Sequence, residues 1–233
     1  MHYLALLIGQ ERELSAAEGA AEMASYQEFH RHAAAAIRAG DALAPAATAA
    51  RITGGPDHPA VTDGPFAEGA EVAGGYYVFE AENLDDALEL ARRIPAARHG
   101  AVEVRPIAFW NPPATSVGND WMALLLEAPE DVHPPSSEQF ESGLSAHAEF
   151  GRAAGEHILG GAPLHSPDTA TTVRVRDERT VLTDGPYPEG AEVASDAVTG
   201  TVTTVAACSI TVSDSMSVSA TTEKPGAGSA SET

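Results

Sequence analysis

The 233-residue sequence predicts an α+β fold made twice, each unit a two-layer sandwich of antiparallel strands covered on one face by two helices. Three observations lead there. First, Thr62-Asp63-Gly64-Pro65-Phe66-Ala67-Glu68-Gly69-Ala70-Glu71-Val72-Ala73 recurs as Thr183-Asp184-Gly185-Pro186-Tyr187-Pro188-Glu189-Gly190-Ala191-Glu192-Val193-Ala194, identical at ten of twelve positions. Second, Tyr3-Leu4-Ala5-Leu6-Leu7 resembles Trp121-Met122-Ala123-Leu124-Leu125, each an apolar run of buried-strand length. Third, Ala39-Gly40 and Ala154-Gly155 close two Ala-rich helical stretches.

In the first unit, residues 3–8 form a strand and residues 16–39 a helix that stops at Gly40, where glycine can take a positive φ. Pro45, Gly54, Gly55, Pro56 and Pro59 make the next segment a loop or irregular hairpin before Ala60-Val61-Thr62. Asp63-Gly64-Pro65 turns the chain. Tyr76-Tyr77-Val78-Phe79 is a strand by its aromatic and β-branched content. Asn83 caps a helix whose Leu84, Ala87, Leu88 and Ala91 share one face, and Pro95 ends it. Ala101 to Ile107 alternates as a last strand.

The helices cover one sheet face, and the second unit is expected to cover the other. The boundaries are 1–107 for a complete unit, 108–119 for a Pro-containing linker, and 120–193 for a second unit that lacks its ending. Residues 194–233 are almost all Ala, Ser, Thr, Val and Gly, without helical periodicity or aromatic residues. This tail reads as divergent and partly disordered, with the closing strand-helix-strand absent through a shifted reading frame or a decayed repeat. A natural β-prone tail is the alternative.

The quoted motif, with Gly74-Gly75-Tyr76-Tyr77, the Leu84 to Ile94 helix and Val102-Glu103-Val104-Arg105-Pro106-Ile107, resembles the DGPF branch of the YCII-related proteins. The resemblance covers the first unit and the second up to about Val193. Gly69-Ala70 stands where that branch commonly has Thr-Lys, so no lysine comes from the motif here. The family implies a ferredoxin-like fold packed through its sheets as a dimeric α+β barrel, here a pseudo-dimer of tandem copies. It also implies a His/Asp site between sheet and helices in some relatives, and a frequent association with extracytoplasmic-function sigma factors.

His32 lies eight residues before Gly40, and His147 eight before Gly155. An imidazole titrates near neutral pH, and a carboxylate can orient it, so His32 with Asp63 and His147 with Asp184 are the candidate proton-transfer pairs. Asp63 and Asp184 are more simply explained as Asx-type turn residues accepting backbone N–H groups, since turn chemistry alone accounts for Asp-Gly-Pro. His30 competes with His32. Glu68, Glu71 and Asp63 read as solvated turn carboxylates, and Tyr76, Tyr77 and Phe79 as sheet core. His58, His99, His133, His157 and His165 sit in loops without ligand spacing, so no metal site and no cofactor are expected.

Thirteen Lys and Arg against 34 Asp and Glu give a net charge of −21, which argues against nucleic acid and anionic membrane surfaces as partners. One cysteine, Cys208, excludes a disulfide framework and fits a reducing cytoplasm. The apolar start is too short for a signal peptide or a membrane span. A small-molecule ligand and self-association through the sheets remain as partners. Two functions follow: a small-molecule-binding or regulatory module linked to sigma-factor signalling, or a lyase- or hydrolase-type enzyme using the His/Asp pair.

Overall fold

The computed structural model describes residues 1–54, 58–64, 71–112, 121–127, 137–155 and 157–187, and the backbone of 193–200 and 216–221. It is a mixed α+β molecule with two antiparallel sheets, as a ferredoxin-like arrangement requires. In chain order the elements are β1 (His2–Gly9), α1 (Ala16–Ala33), β2 (Ile37–Ala42), β3 (Ala49–Thr53), β4 (Ala60–Asp63), β5 (Val72–Glu80), α2 (Leu84–Ala91) and β6 (Ala101–Pro106). They continue as β7 (Trp121–Glu127), α3 (Glu138–Ala154), β8 (Ile158–Pro163), β9 (Thr171–Arg176), β10 (Arg179–Asp184), β11 (Val193–Gly200) and β12 (Met216–Thr221).

The first sheet runs β10-β9-β6-β1-β5-β2 and the second β4-β3-β12-β7-β11-β8. Each sheet thus takes its outer hairpin from the other half of the chain. The registers match as well: Ile8 faces Ala73 after a bulge that skips Gly74, and Leu126 faces Ala194 after one that skips Ser195. Gly64 donates its N–H to Ala49 O, and Gly185 donates its N–H to Ala170 O.

Strand alternation sorts the core into two layers. Tyr3, Ala5, Leu7, Tyr77, Phe79, Val102 and Val104 point toward the helices and pack with Phe29, Ala33, Ala87, Leu88 and Ala91. Leu4, Leu6, Tyr76 and Val78 point the other way and meet Met122, Leu124 and Ala162 of the second sheet. Ser15 and Glu18 form a capping box at the start of α1, and Asn83 Oδ1 accepts from Asp86 N at 3.0 Å to start α2.

One expectation is corrected. The first helix ends at Ala33, not beside Gly40, because residues 37–42 form β2 along the edge of β5. Pairing with that edge overrides the helical propensity of an Ala-rich segment. Gly40 serves a different purpose from a helix cap. A Cβ there would lie 2.5 Å from Tyr77 Cδ1 and 2.9 Å from Tyr76 O, so glycine is what lets β2 approach β5. The stretch after Val193, read as lacking its closing strands, holds two strands among the described residues. β11 and β12 occupy in the second sheet the places that β5 and β6 hold in the first. Residues 201–215, where the matching helix would fall, lie outside the described residues, as does 222–233.

The linker is described to residue 112. Ala108 N donates to Pro163 O at 2.9 Å, and Asn111 and Gly161 exchange two backbone bonds, so the crossing segment is pinned to β8.

Candidate functional site

The first sheet and α1 diverge at the C-terminal end of β1, leaving a cleft of about 420 Å³. Leu7 to Arg12 forms one wall, Glu22 and Tyr26 of α1 another, Glu71, Val72 and Gly74 of the β5 bulge a third, and Ala96, His99 and Gly100 a fourth. The volume suits a small organic molecule. Each wall follows from local structure. The Gly74 bulge bends β5 away from β1. Pro95–Arg98 forms a single 3₁₀ turn that carries Ala96 and His99 across the end of the sheet. At the floor, Gly100 lies so close to β1 that a Cβ would stand 2.1 Å from Ile8 O.

The polar lining is partly committed. Arg12 donates to Glu22 at 2.7 Å, and Glu11 Oε1 accepts from Ala46 N at 2.7 Å. The Tyr26 hydroxyl bonds the Ala96 backbone, and burial raises its pKa above the ordinary phenol value, with Glu22 adding to the rise. Three carboxylates, Glu11, Glu22 and Glu71, face one guanidinium, Arg12. One turn further along α1, His30 Nε2 and Tyr77 Oη are 2.7 Å apart. Tyr77 is buried, stacked on Phe79 with ring centroids 5.8 Å apart, and burial pushes its pKa well up, with Tyr26 and Asp41 contributing.

The candidate residues read from sequence fall elsewhere. His32 is exposed near the end of α1, outside the first sheet, whereas Asp63 ends β4, an edge strand of the second sheet. Among the described residues no hydrogen bond or ion pair joins them. Asp184 is exposed at the end of β10, which belongs to the first sheet, while His147 lies half-buried on α3. It is His30, the competing histidine, that engages a sheet residue.

Burial holds His147 below the ordinary value of 6.5. Its neutral form is favoured by folding, so its contribution is present above pH 6.5 and is lost as pH falls below that value. His147→Gln is therefore expected to flatten the acid side of the stability profile. Urea midpoints between pH 7 and pH 5 test this, and an unchanged slope would contradict it.

Opposite the helices, β6 directs Glu103 and Arg105 into the space between the sheets, with Arg105 only 1% exposed. The two form an ion pair. Glu103 Oε2 also accepts Tyr187 N at 2.8 Å, and the Arg174 guanidinium sits 4.8 Å from the Tyr187 ring centroid. The second Asp-Gly-Pro-aromatic motif is thereby docked on the first sheet. Burial raises the Glu103 pKa, opposed by Arg105.

Sequence reasoning missed Tyr26, His99 and the Glu103–Arg105 pair as site features. His99 precedes Gly100, whose close approach to β1 puts that imidazole on the cleft. Nothing local in the sequence reveals this. Among the described residues no group of three or more His, Cys, Asp or Glu side chains is placed to hold a metal ion, and no helix is long and apolar enough to cross a membrane.

A bilayered antiparallel α+β unit with a cleft between its first helix and the sheet defines the class of protein. The sequence pattern of the YCII-related domain matches residues 1–111. The chain therefore carries a YCII-related domain in its first half. A curated relative, "Uncharacterized protein R00369" of Rhizobium meliloti (strain 1021), is 39% identical over 72 residues, which are 30% of this chain and 58% of that protein. The match thus spans less than two thirds of that relative's length.

Proposed function

We propose that this chain is a small-molecule-binding protein whose ligand occupies the cleft of the first YCII-related unit. The observation that carries the reading is the cleft itself. It is bounded by a β-bulge, a 3₁₀ turn and a helix, and it gathers Tyr26, His99, Glu71 and an Arg12–Glu22 pair around about 420 Å³. Its excess of carboxylates favours a neutral or cationic polar ligand over an anion. A binding module is a better account than a His32/Asp63 proton-transfer enzyme, because those two side chains belong to different layers.

The two halves are read as a duplicated unit forming a pseudo-dimer. Matched strand orders, matched bulges and the repeated Asp-Gly-Pro motif support that reading. On this reading 120–221 forms the second unit, with 216–221 as its closing strand.

The test is an amide chemical-shift screen with a library of small neutral, cationic and anionic fragments. Perturbations concentrated at Gly9, Gly74, His99 and Gly100, for neutral or cationic members, are expected. Perturbations confined to the open groove formed by Met1, Arg38, Glu82, Asp86 and Leu90 would defeat the proposal.

A further inference from the structure

We infer that Arg176, contributed by the second half of the chain, is a positioning residue for the wall of the first half's cleft. This rests on the cleft reading for its meaning and on the following geometry for its substance. Arg176 ends β9, just before the two-residue turn at Asp177 and Glu178, both in the left-handed region with φ of 48° and 62°. That tight reversal places the guanidinium beyond the end of the first sheet. There Nη1 donates to Ala97 O at 2.9 Å and Arg98 O at 3.2 Å, and Nη2 donates to Gly100 O at 2.9 Å.

These carbonyls belong to the segment that supplies Ala96, His99 and Gly100 to the cleft. A single 3₁₀ turn is held by little of its own: Ala97 N to Ile94 O, His99 N to Ala96 O and Gly100 N to Ala96 O. Its terminal carbonyls have no continuing helix to pair with. The planar fork of Arg176 ties three of them together, which a point charge could not do with the same geometry. The second half thus sets where His99 stands.

The arrangement is one-sided in sequence. The two hairpin arms have equal length between Ala49 and Asp63 and between Ala170 and Asp184, so Arg176 corresponds in sequence to Gly55. The first half's arm thus has glycine, not arginine, at the position matching Arg176.

Native-state hydrogen exchange on the full chain tests this. Arg176→Ala is expected to speed exchange of the Ala97, His99 and Gly100 amides at least tenfold, with the amides of Tyr77, Val78 and Phe79 unchanged. The His99 imidazole resonances should shift while those of His30 and His32 stay in place. Arg176→Lys should recover only part of the protection. Unchanged wall amides would overturn the inference, as would acceleration spread equally over the whole sheet, which would mark Arg176 as a general stability residue. The two readings fail separately. A wall that loosens in a protein binding no fragment defeats the ligand reading and leaves the clamp standing. A fragment that binds wild type and Arg176→Ala with equal affinity defeats the clamp and leaves the ligand reading.

Discussion

Arg105→Met is expected to lower the unfolding free energy by about 3–5 kcal/mol, read from urea-unfolding midpoints at neutral pH. Methionine is apolar and of comparable length, so little of this loss is a cavity. The cost comes from Glu103, 7% exposed, whose carboxylate would stay between the sheets without its guanidinium. Tyr187 N would remain as a donor, but one neutral hydrogen bond does not replace a buried countercharge. The double variant Glu103→Gln/Arg105→Met should recover a large part of the loss, because no charge is then stranded and the amide oxygen can still accept from Tyr187. If the single variant is as stable as the wild type, the pair is solvated and the second motif does not seal this space.

Gly100→Ala is expected to cost about 3 kcal/mol, at the upper end for forcing extra atoms into a closed site. The added Cβ would stand 2.1 Å from Ile8 O, 2.9 Å from Gly9 Cα and 3.0 Å from Ile8 C. All three are backbone atoms of β1, so no side-chain rotation relieves the contact. The strand must separate from the Gly100 backbone where the two line the cleft, and fragment binding there should fall with the stability. Thermal unfolding of the variant beside Gly74→Ala, where a Cβ meets nothing within 4 Å, provides the control.

Much of the first unit was legible in its sequence because its signals are local. The apolar run of β1, the Asn83 cap with the stripe of α2, and the aromatic run of β5 each announce one element, and the structure places each there. What was not legible depends on partners distant in the chain. β2 forms from a helix-prone segment only because β5 offers an edge. The hairpins cross between sheets, and no local pattern says which sheet a hairpin joins. Residues Ala101 to Pro106 alternate as if one face met solvent, yet Glu103 and Arg105 are buried because the other half's arm covers them. The tail after Val193 carries no aromatic residues to mark strands, but its β-branched content suffices for backbone pairing with β7.

The site was legible in part for the same reason. The histidine-bearing helix and the Asp-Gly-Pro turn stand out as sequence features, which suggested joining His32 to Asp63. The exchange of hairpins carries Asp63 into the second sheet and Asp184 into the first, and the imidazole that meets the sheet is His30. The cleft residues Tyr26 and His99 are brought together by a bulge at Gly74 and a close backbone approach at Gly100. Only the three-dimensional structure shows those two features.

The most direct test of the cleft as the ligand site is a steric block at Gly74. Gly74 is on the cleft wall and a Cβ there meets nothing within 4 Å, so Gly74→Leu is expected to occupy cleft space at little cost to the fold. Titration of the best fragment from the shift screen into wild type and Gly74→Leu, at matched thermal stability, should show at least a tenfold weakening in the variant. Equal affinity for the two proteins would contradict the account.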